Sequence, residues 1–331
     1  MNSTSFTLSG LLANNPLRGR SLLSIADLSG EEAEAVLFCA EKLKARRKSH
    51  LHTDEFRTSL AHKSVALIFQ KPSLRTRTTF DLGVAELGAH PVYLGPEMGF
   101  GVRESASDIG CNLSRWVHAI VARVYAQSDL EELAQTSRLP VINALSDFEH
   151  PCQALADFLT LRERWGSLRG RRLAYIGDGN NVLHSLMYLA ALQGLDLVAA
   201  CPEGYDPEPA VLKRATEVAA SHGSSLKLVR DVQEAAAGAD ALYTDTWISM
   251  GQEEETERRR QAFRGYQINQ ELLRAARADA VVMHCLPAHR GEEVTAEVLD
   301  GPQSVIYDQA ENRLHAQKAV LLLTMHSGPG A

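Results

Sequence analysis

Short apolar runs alternate with segments of helical periodicity along almost all of this 331-residue chain, and that alternation restricts its fold more than any other feature. Val65–Phe69, Pro91–Leu94, Ala119–Arg123 and Val141–Ala144 read as strands. So do Leu173–Ile176, Leu195–Ala200, Leu226–Val229, Ala241–Thr244, Ala280–His284 and Val305–Tyr307. Glu31–Leu43, Thr76–Leu87, Ala154–Arg164, Val182–Gln193 and Arg313–Met325 repeat apolar residues at helical spacing. Continuous apolar strands between helices indicate parallel sheets covered on both faces. Four strands precede Pro151, and five lie between Arg172 and Cys285. The expected fold is therefore α/β, with two doubly wound parallel-sheet domains joined by long interdomain helices. The expected domains are 1–150, with a C-terminal helix 313–331 packing back on it, and 151–312. In such sheets ligands gather at the carboxyl ends of strands, and most polar clusters of this chain sit there.

Composition narrows the function classes. The chain is 45% hydrophobic and 23% charged, an ordinary globular balance. A net charge of −7 offers no field for nucleic acid or an anionic membrane, so any basic site is local. No apolar run approaches a membrane span. The five cysteines are odd in number, scattered and without a C-x-x-C pair. They indicate a reducing, cytoplasmic setting with neither disulfides nor a structural zinc site. The first 26 residues hold two arginines and no acid, and read as a short ragged N-terminus rather than a transit peptide.

Five clusters could carry chemistry. After the first strand, Ser73, Arg75, Thr76 and Arg77 fall at a Pro-marked turn into a helix. Hydroxyls, guanidiniums and the unpaired N–H groups of a helix start are the makings of a phosphate cradle. Arg123 ends another strand. His150 and Gln153 flank Pro151 three apart at a helix start, placed to donate to a carbonyl and accept from an amide; a capped helix with a surface histidine is the plain alternative. Gly177-Asp-Gly-Asn-Asn181 looks like half of a dinucleotide fingerprint. Val182 stands where the third glycine is required, so Asn180 and Asn181 point instead to a carboxylate or amide ligand, or simply to a helix cap. Asp245 ends a strand before Thr-Trp-Ile-Ser-Met-Gly251 and suits a substrate ammonium, whereas Glu253–Glu255 and Arg258–Arg260 read as a solvated helix face. His284, Cys285 and His289 suggest a metal or a Cys–His pair. Adjacent residues at a strand end point to opposite sides, so no metal is expected. Glu311-Asn-Arg313 would bring a further guanidinium from just ahead of the last helix.

In this order the segments resemble the transcarbamylase family, from about Leu17 to Leu323. The family's S-T-R-T-R appears as S-L-R-T-R at Ser73–Arg77, its H-P-x-Q at His150–Gln153 and its H-C-L-P at His284–Pro287. The loop D-x-W-x-S-M-G, which marks the ornithine branch, appears at Asp245–Gly251. The resemblance implies a carbamoyl-phosphate site of Ser73, Leu74 through its backbone, Arg75, Thr76, Arg123, His150, Gln153, the Leu286 carbonyl and Arg313, held mainly by the first domain. It implies an ornithine site of Asn181, Asp245, Ser249 and Met250, with Cys285 beside the reacting amine. Arg123, His150, Thr76 and Cys285 would be the catalytic group. It also implies a homotrimer whose domains close on ligand, and no cofactor. Leu74 replaces the usual threonine, and Gly95–Gly101 lacks a residue near Gly99 that in the family often reaches a neighbouring subunit's ligand.

The implied reaction is attack of the δ-amine of ornithine on carbamoyl phosphate, giving citrulline and phosphate. Transcarbamylases for aspartate, putrescine or an N-acylornithine are the near rivals. An aspartate enzyme needs cations for a second carboxylate, an acylornithine offers no ammonium to Asp245, and putrescine leaves carboxylate recognition idle. A non-catalytic protein keeping the fold, and a nicotinamide oxidoreductase, are rivals of other classes.

Overall fold

A computed structural model describes residues 7–48, 55–248 and 255–326. The chain divides into two compact units, Met1–Leu159 with Asn312–Ala331, and Thr160–Glu311. The divisions fall inside two helices, whereas the expected ones lie at 150/151 and 312/313.

In the first unit the order is α1 (Leu8–Ala13), α2 (Gly30–Lys48), β1 (Ser64–Phe69), α3 (Arg75–Glu86), β2 (His90–Leu94), α4 (Ala106–Leu113), β3 (Ala119–Arg123), α5 (Gln127–Ser137), β4 (Val141–Leu145) and α6 (Pro151–Trp165), which runs on past Leu159. All strand pairs are parallel, in the order β2-β1-β3-β4. The order reverses between β1 and β3, and their carboxyl ends are in register, with Phe69 opposite Arg123. That junction is where an open parallel sheet leaves a crevice for a ligand. One face of the sheet packs Ala66, Ile68, Ile120 and Ala122 against Ile109, Leu113, Leu130 and Leu133. Each larger aliphatic side chain contributes about 1.5–3 kcal/mol by leaving water.

The second unit contains β5 (Arg172–Ile176), α7 (Asn181–Gln193), β6 (Asp196–Ala200), α8 (Pro209–His222), β7 (Leu226–Val229), α9 (Val232–Ala236), β8 (Ala241–Thr244), α10 (Thr256–Phe263), α11 (Gln270–Ala275), β9 (Val281–His284), α12 (Ala296–Leu299) and the first turns of α13 (Ile306–Met325). Its sheet, also parallel, runs β7-β6-β5-β8-β9 and reverses between β5 and β8. Ala174, Ile176, Val198, Leu242 and Val282 pack under Leu272, Leu273, Val298 and Leu299. The expected two-sheet α/β class is thus the observed one.

Three expectations give way. Val305–Tyr307 is no strand: Ser304 bridges Val282, the Val305 N–H bonds the Val282 carbonyl, and Ile306 then opens α13. The β-branched pair Val305-Ile306 imitates a strand because both are buried in succession, as they are in the covered strands of these sheets. Glu311–Arg313 therefore lies inside α13, not ahead of it. Nor is the N-terminus ragged from residue 7, because the Thr7 hydroxyl accepts from the Gly10 N–H and α1 buries Leu8, Leu11 and Leu12.

Candidate active-site halves

In the first unit the carboxyl ends of β1 and β3 carry the candidate anion cradle. Leu74 occupies the cap position of α3 with φ −72° and ψ −63°, and no side chain caps the helix. The first helical hydrogen bond runs from the Thr78 N–H to the Leu74 carbonyl. The N–H groups of Leu74 to Arg77 are thus not spent on the helix ladder, and the partial positive charge of the terminus is open to an anion. Arg123 reaches over from β3, its Nη1 donating to the hydroxyls of Ser73 at 3.4 Å and Thr76 at 3.3 Å. Arg313 arrives from α13, distant in sequence, and its Nη2 donates to Thr76 Oγ1 at 3.0 Å. Thr76 is buried and accepts from both guanidiniums, so its own proton is what it can offer a ligand. Arg77, expected in the cradle, instead lays its guanidinium 3.6 Å over the Tyr93 ring on β2.

His150 ends the β4–α6 connection and is buried, not the surface histidine of the plain alternative. The loop before it is tied down by Glu149, itself buried, which accepts from the Ile25 N–H at 3.0 Å and from Ser24 Oγ. Burial first, then the positive charges of Arg313, Arg123 and Arg75, hold the His150 imidazole well below its usual titration range. It is neutral at physiological pH and can donate a hydrogen bond without carrying charge. Gln153, one turn on, accepts from Arg313 through Oε1 and donates to Asp157 at 2.7 Å. Oε1 keeps a second lone pair for an amide N–H. Ser73, Leu74, Arg75, Thr76, Arg123, His150, Gln153 and Arg313 therefore all belong to this one unit.

In the second unit the switch point between β5 and β8 is occupied by Asp245. Its Oδ2 accepts from Asn180 Nδ2 at 2.8 Å. Its Oδ1 accepts from the Thr246 N–H at 2.8 Å and from Cys285 Sγ at 2.9 Å. Asn180 does two jobs at once, because its Oδ1 caps α7 through the N–H groups of Val182 and Leu183. The asparagine pair is thus neither cap alone nor ligand alone, and Asn180, outside the expected site set, is the member that holds Asp245. Asn181 follows as the first residue of α7. Ser249 and Met250 lie outside the described residues.

Gly179 of the β5 turn has an internal cause. A Cβ on Gly179 would stand 2.1 Å from Pro207 N and 2.2 Å from the Asp206 carbonyl carbon, so the chain's own backbone occupies that space. The close approach that a dinucleotide fingerprint reserves for a pyrophosphate is filled from within.

His284 and Cys285 do converge, contrary to expectation: the ligand atoms of Asp245, His284 and Cys285 all lie within 4.8 Å of one another. Strand alternation ends at His284, and Leu286 takes a φ of +60°, so the pleat no longer dictates direction. His289 stands in a different group, with Glu292 and Glu293. His284 Nδ1 accepts from the Leu286 N–H at 2.9 Å, and its Nε2 pairs with the buried Glu293 at 3.0 Å. That leaves Nε2 as the protonated nitrogen and fixes the turn carrying Cys285 and Leu286.

The solvated-face reading of Arg258–Arg260 fails at Arg259. This side chain is only 4% exposed, donates through Nε to the Trp247 carbonyl at 2.6 Å and forms an ion pair with Asp178 of the β5 turn. A charge run gives no hint of which member turns inward.

The first unit thus gathers hydroxyls and guanidiniums at a helix start, and the second sets a carboxylate beside a thiol at its switch point. Comparison with known proteins places the chain in a family. The pattern of the aspartate/ornithine carbamoyltransferase carbamoyl-P binding domain matches residues 20–163, and that of the Asp/Orn binding domain of the same enzymes matches residues 169–324. Ornithine carbamoyltransferase of Pyrococcus horikoshii is 49% identical over 310 residues, covering 93% of this chain and 96% of the relative. The solved ornithine carbamoyltransferase of Pyrococcus furiosus superposes with a TM-score of 0.89 at 49% identity, over 93% of this chain and 98% of that one. That of Thermus thermophilus gives 0.82 at 46%, over 92% and 98%. The chain belongs to the aspartate/ornithine carbamoyltransferase family.

Proposed function

We propose that the protein transfers the carbamoyl group of carbamoyl phosphate to the δ-amine of L-ornithine, yielding L-citrulline and phosphate. Near-full-length relatives at about half identity, all named ornithine carbamoyltransferase, support the reaction. The observation that carries the choice of amine is Asp245, a carboxylate fixed by three donors at the switch point of the amino-acid unit. An anion there suits an amino acid with a free α-ammonium and opposes a second substrate carboxylate.

In the assignment we favour, the phosphate rests on the start of α3, with Ser73, the Leu74 N–H, Arg75, Arg123 and Arg313 as its donors. Gln153 accepts from the carbamoyl NH2. Arg123, Thr76 and neutral His150 donate to the carbonyl oxygen as it becomes an oxyanion, where prepositioned donors are worth most. The Leu286 carbonyl would accept a further carbamoyl N–H. Ornithine pairs its α-ammonium with Asp245, and Asn181, Ser249 and Met250 take its carboxylate end, with Cys285 next to the δ-amine. The neutral amine attacks the carbonyl carbon, a C–N bond forms, the C–O bond to phosphate breaks, and departing phosphate is the final acceptor of the amine proton. Positioning the two reactants supplies much of the remaining acceleration. Neither a metal nor an organic cofactor enters these steps.

Assembly as a homotrimer fits the exposed Leu74 and Leu82, eight apart on one face of α3, which a second copy would cover. The five cysteines, none of them in a disulfide, suit the cytoplasm. Among the described residues no helix is long and apolar enough to cross a membrane. Citrulline-type product is to be measured from carbamoyl phosphate with ornithine, N-acetylornithine, putrescine and aspartate side by side. Ornithine should exceed the others by at least about a hundredfold in kcat/KM, the equivalent of about 2.8 kcal/mol. A preference for putrescine or the acylated amine would overturn the assignment of Asp245, and binding of carbamoyl phosphate without any turnover would favour a non-catalytic protein.

A further inference from the structure

Two rungs join the segments that follow β5 and β8. The first is Asn180 to Asp245, at 2.8 Å. The second lies two residues further from that pair on each segment, at Asp178 and Trp247, and its connecting piece is the Arg259 guanidinium. Arg259 Nη2 pairs with Asp178 Oδ2, and Nε donates to the Trp247 carbonyl at 2.6 Å. The side chain comes from α10 and stacks among aromatics, 4.8 Å over the Tyr205 ring and 5.3 Å over that of Phe263. Trp247 in turn lies 6.0 Å from Phe263, between ring centroids. Glu255, one turn earlier, offers the guanidinium a second and more distant carboxylate, at 3.9 Å and half exposed. The β5 turn is pinned from its other side as well, since the Gly179 N–H donates to the Tyr205 carbonyl at 2.8 Å.

We infer that Arg259 is a positioning residue for the amino-acid substrate, holding Asp178 and the Trp247 carbonyl together so that Asn180 and Asp245 keep their register. The inference rests on the ornithine reading of this unit. Guanidinium is suited to the task because its planar fork serves two acceptors at fixed angle while its face stacks on rings. A lysine in its place reaches one acceptor at a time. Desolvation holds the Asp178 carboxyl up, to about 6, and the charge of Arg259 is what opposes it. Removing the guanidinium leaves a buried carboxylate without its close cation, which separates two effects of the residue. Its cost in stability comes from the uncompensated charge, whereas its effect on substrate comes from loss of the second rung.

The test compares the wild-type enzyme with Arg259→Met, Arg259→Lys and the double variant Arg259→Met/Asp178→Asn. Three quantities are read: ornithine KM from citrulline formation, carbamoyl-phosphate Kd by calorimetry, and Tm. Arg259→Met should raise ornithine KM about tenfold and leave carbamoyl-phosphate Kd within twofold. Arg259→Lys should fall between the two with a Tm near wild type. The double variant should recover Tm relative to Arg259→Met, because no buried carboxylate is left unpaired, while ornithine KM stays high. Should Arg259→Met fail to fold, the lysine and double variants carry the same comparison. An ornithine KM within twofold of wild type in the folded variants overturns the inference, as does KM recovering in step with Tm, or equal weakening of both substrates. A wild-type chain that makes no citrulline overturns the ornithine reading itself, and this inference with it.

Discussion

Asp245→Asn tests the centre of the amino-acid half-site, and its consequences follow from three hydrogen bonds. Oδ2 faces one donor, Asn180 Nδ2, and Oδ1 faces two, the Thr246 N–H and Cys285 Sγ. An asparagine has one oxygen and one NH2. If its oxygen faces Thr246 and Cys285, its NH2 meets the Asn180 NH2, donor to donor. If it is flipped, two donors are opposed instead. One bond is lost in the better arrangement, and leaving a buried partner unsatisfied costs about 1–3 kcal/mol. Asp245 is 6% exposed, so solvent does little to relieve this. At about 2–4 °C per kcal/mol for a domain of this size, Tm should fall by a few degrees. Ornithine loses a charge-assisted bond on top, worth about 1.5–3 kcal/mol, so its KM should rise roughly ten- to a hundredfold. Adding Asn180→Asp repairs the geometry. The carboxylate this second substitution places on the β5 turn accepts from the NH2 of the new asparagine and still caps α7, and net charge is restored. Tm should return to near wild type, yet ornithine KM should stay raised because the carboxylate is no longer at position 245. Initial-rate kinetics and calorimetry of carbamoyl-phosphate binding check both parts. Refutation would be a double variant with wild-type ornithine KM, or a single variant that weakens carbamoyl phosphate as much as ornithine.

Arg123→Ala should fold and bind ornithine while kcat falls about 100- to 1000-fold, the usual cost of one oxyanion donor; wild-type kcat in a folded variant would remove Arg123 from that role. His150, held below 6.5 by burial and by Arg313, Arg123 and Arg75, stays neutral in the folded chain while the unfolded chain takes up a proton below about 6.5. Its contribution to stability is therefore complete above that pH and is lost as pH falls, by about 1.4 kcal/mol per unit. As pH falls below about 6.5, His150→Gln should lose stability less steeply than wild type, and identical slopes in denaturant titrations would contradict the assignment. Leu74→Thr should change carbamoyl-phosphate affinity by less than about tenfold. The N–H of residue 74 is present in either chain, and one neutral hydrogen bond contributes only about 0.5–1.5 kcal/mol. Leu74 is 76% exposed, so threonine forfeits little burial within the chain. A hundredfold gain would mark the wild-type phosphate site as crippled.

The amino-acid sequence by itself determined the class of fold, because a parallel strand covered on both faces leaves a continuous apolar run and a helix leaves its 3.6-residue period. It also determined the clusters whose members are close along the chain. Ser73–Thr76 and His150–Gln153 each sit within a single strand-to-helix turn, where backbone geometry alone makes neighbours of them. Only the tertiary structure decided which clusters meet. The orders β2-β1-β3-β4 and β7-β6-β5-β8-β9 bring Ser73 to Arg123 and Asn180 to Asp245, and strand order leaves no mark on apolar period. Arg313 joins Thr76 across most of the chain through α13, whose entry at Val305-Ile306 imitates a strand. His284 and Cys285 share a side only because the pleat stops at His284. Arg259 stands in a run of three arginines, and nothing local sets it apart. It is buried because Asp178, the Trp247 carbonyl and the Tyr205 and Phe263 rings surround it, partners drawn from turns and helices up to 81 positions away. Long-range electrostatic and stacking partners of that kind are set by packing, which a linear pattern does not encode.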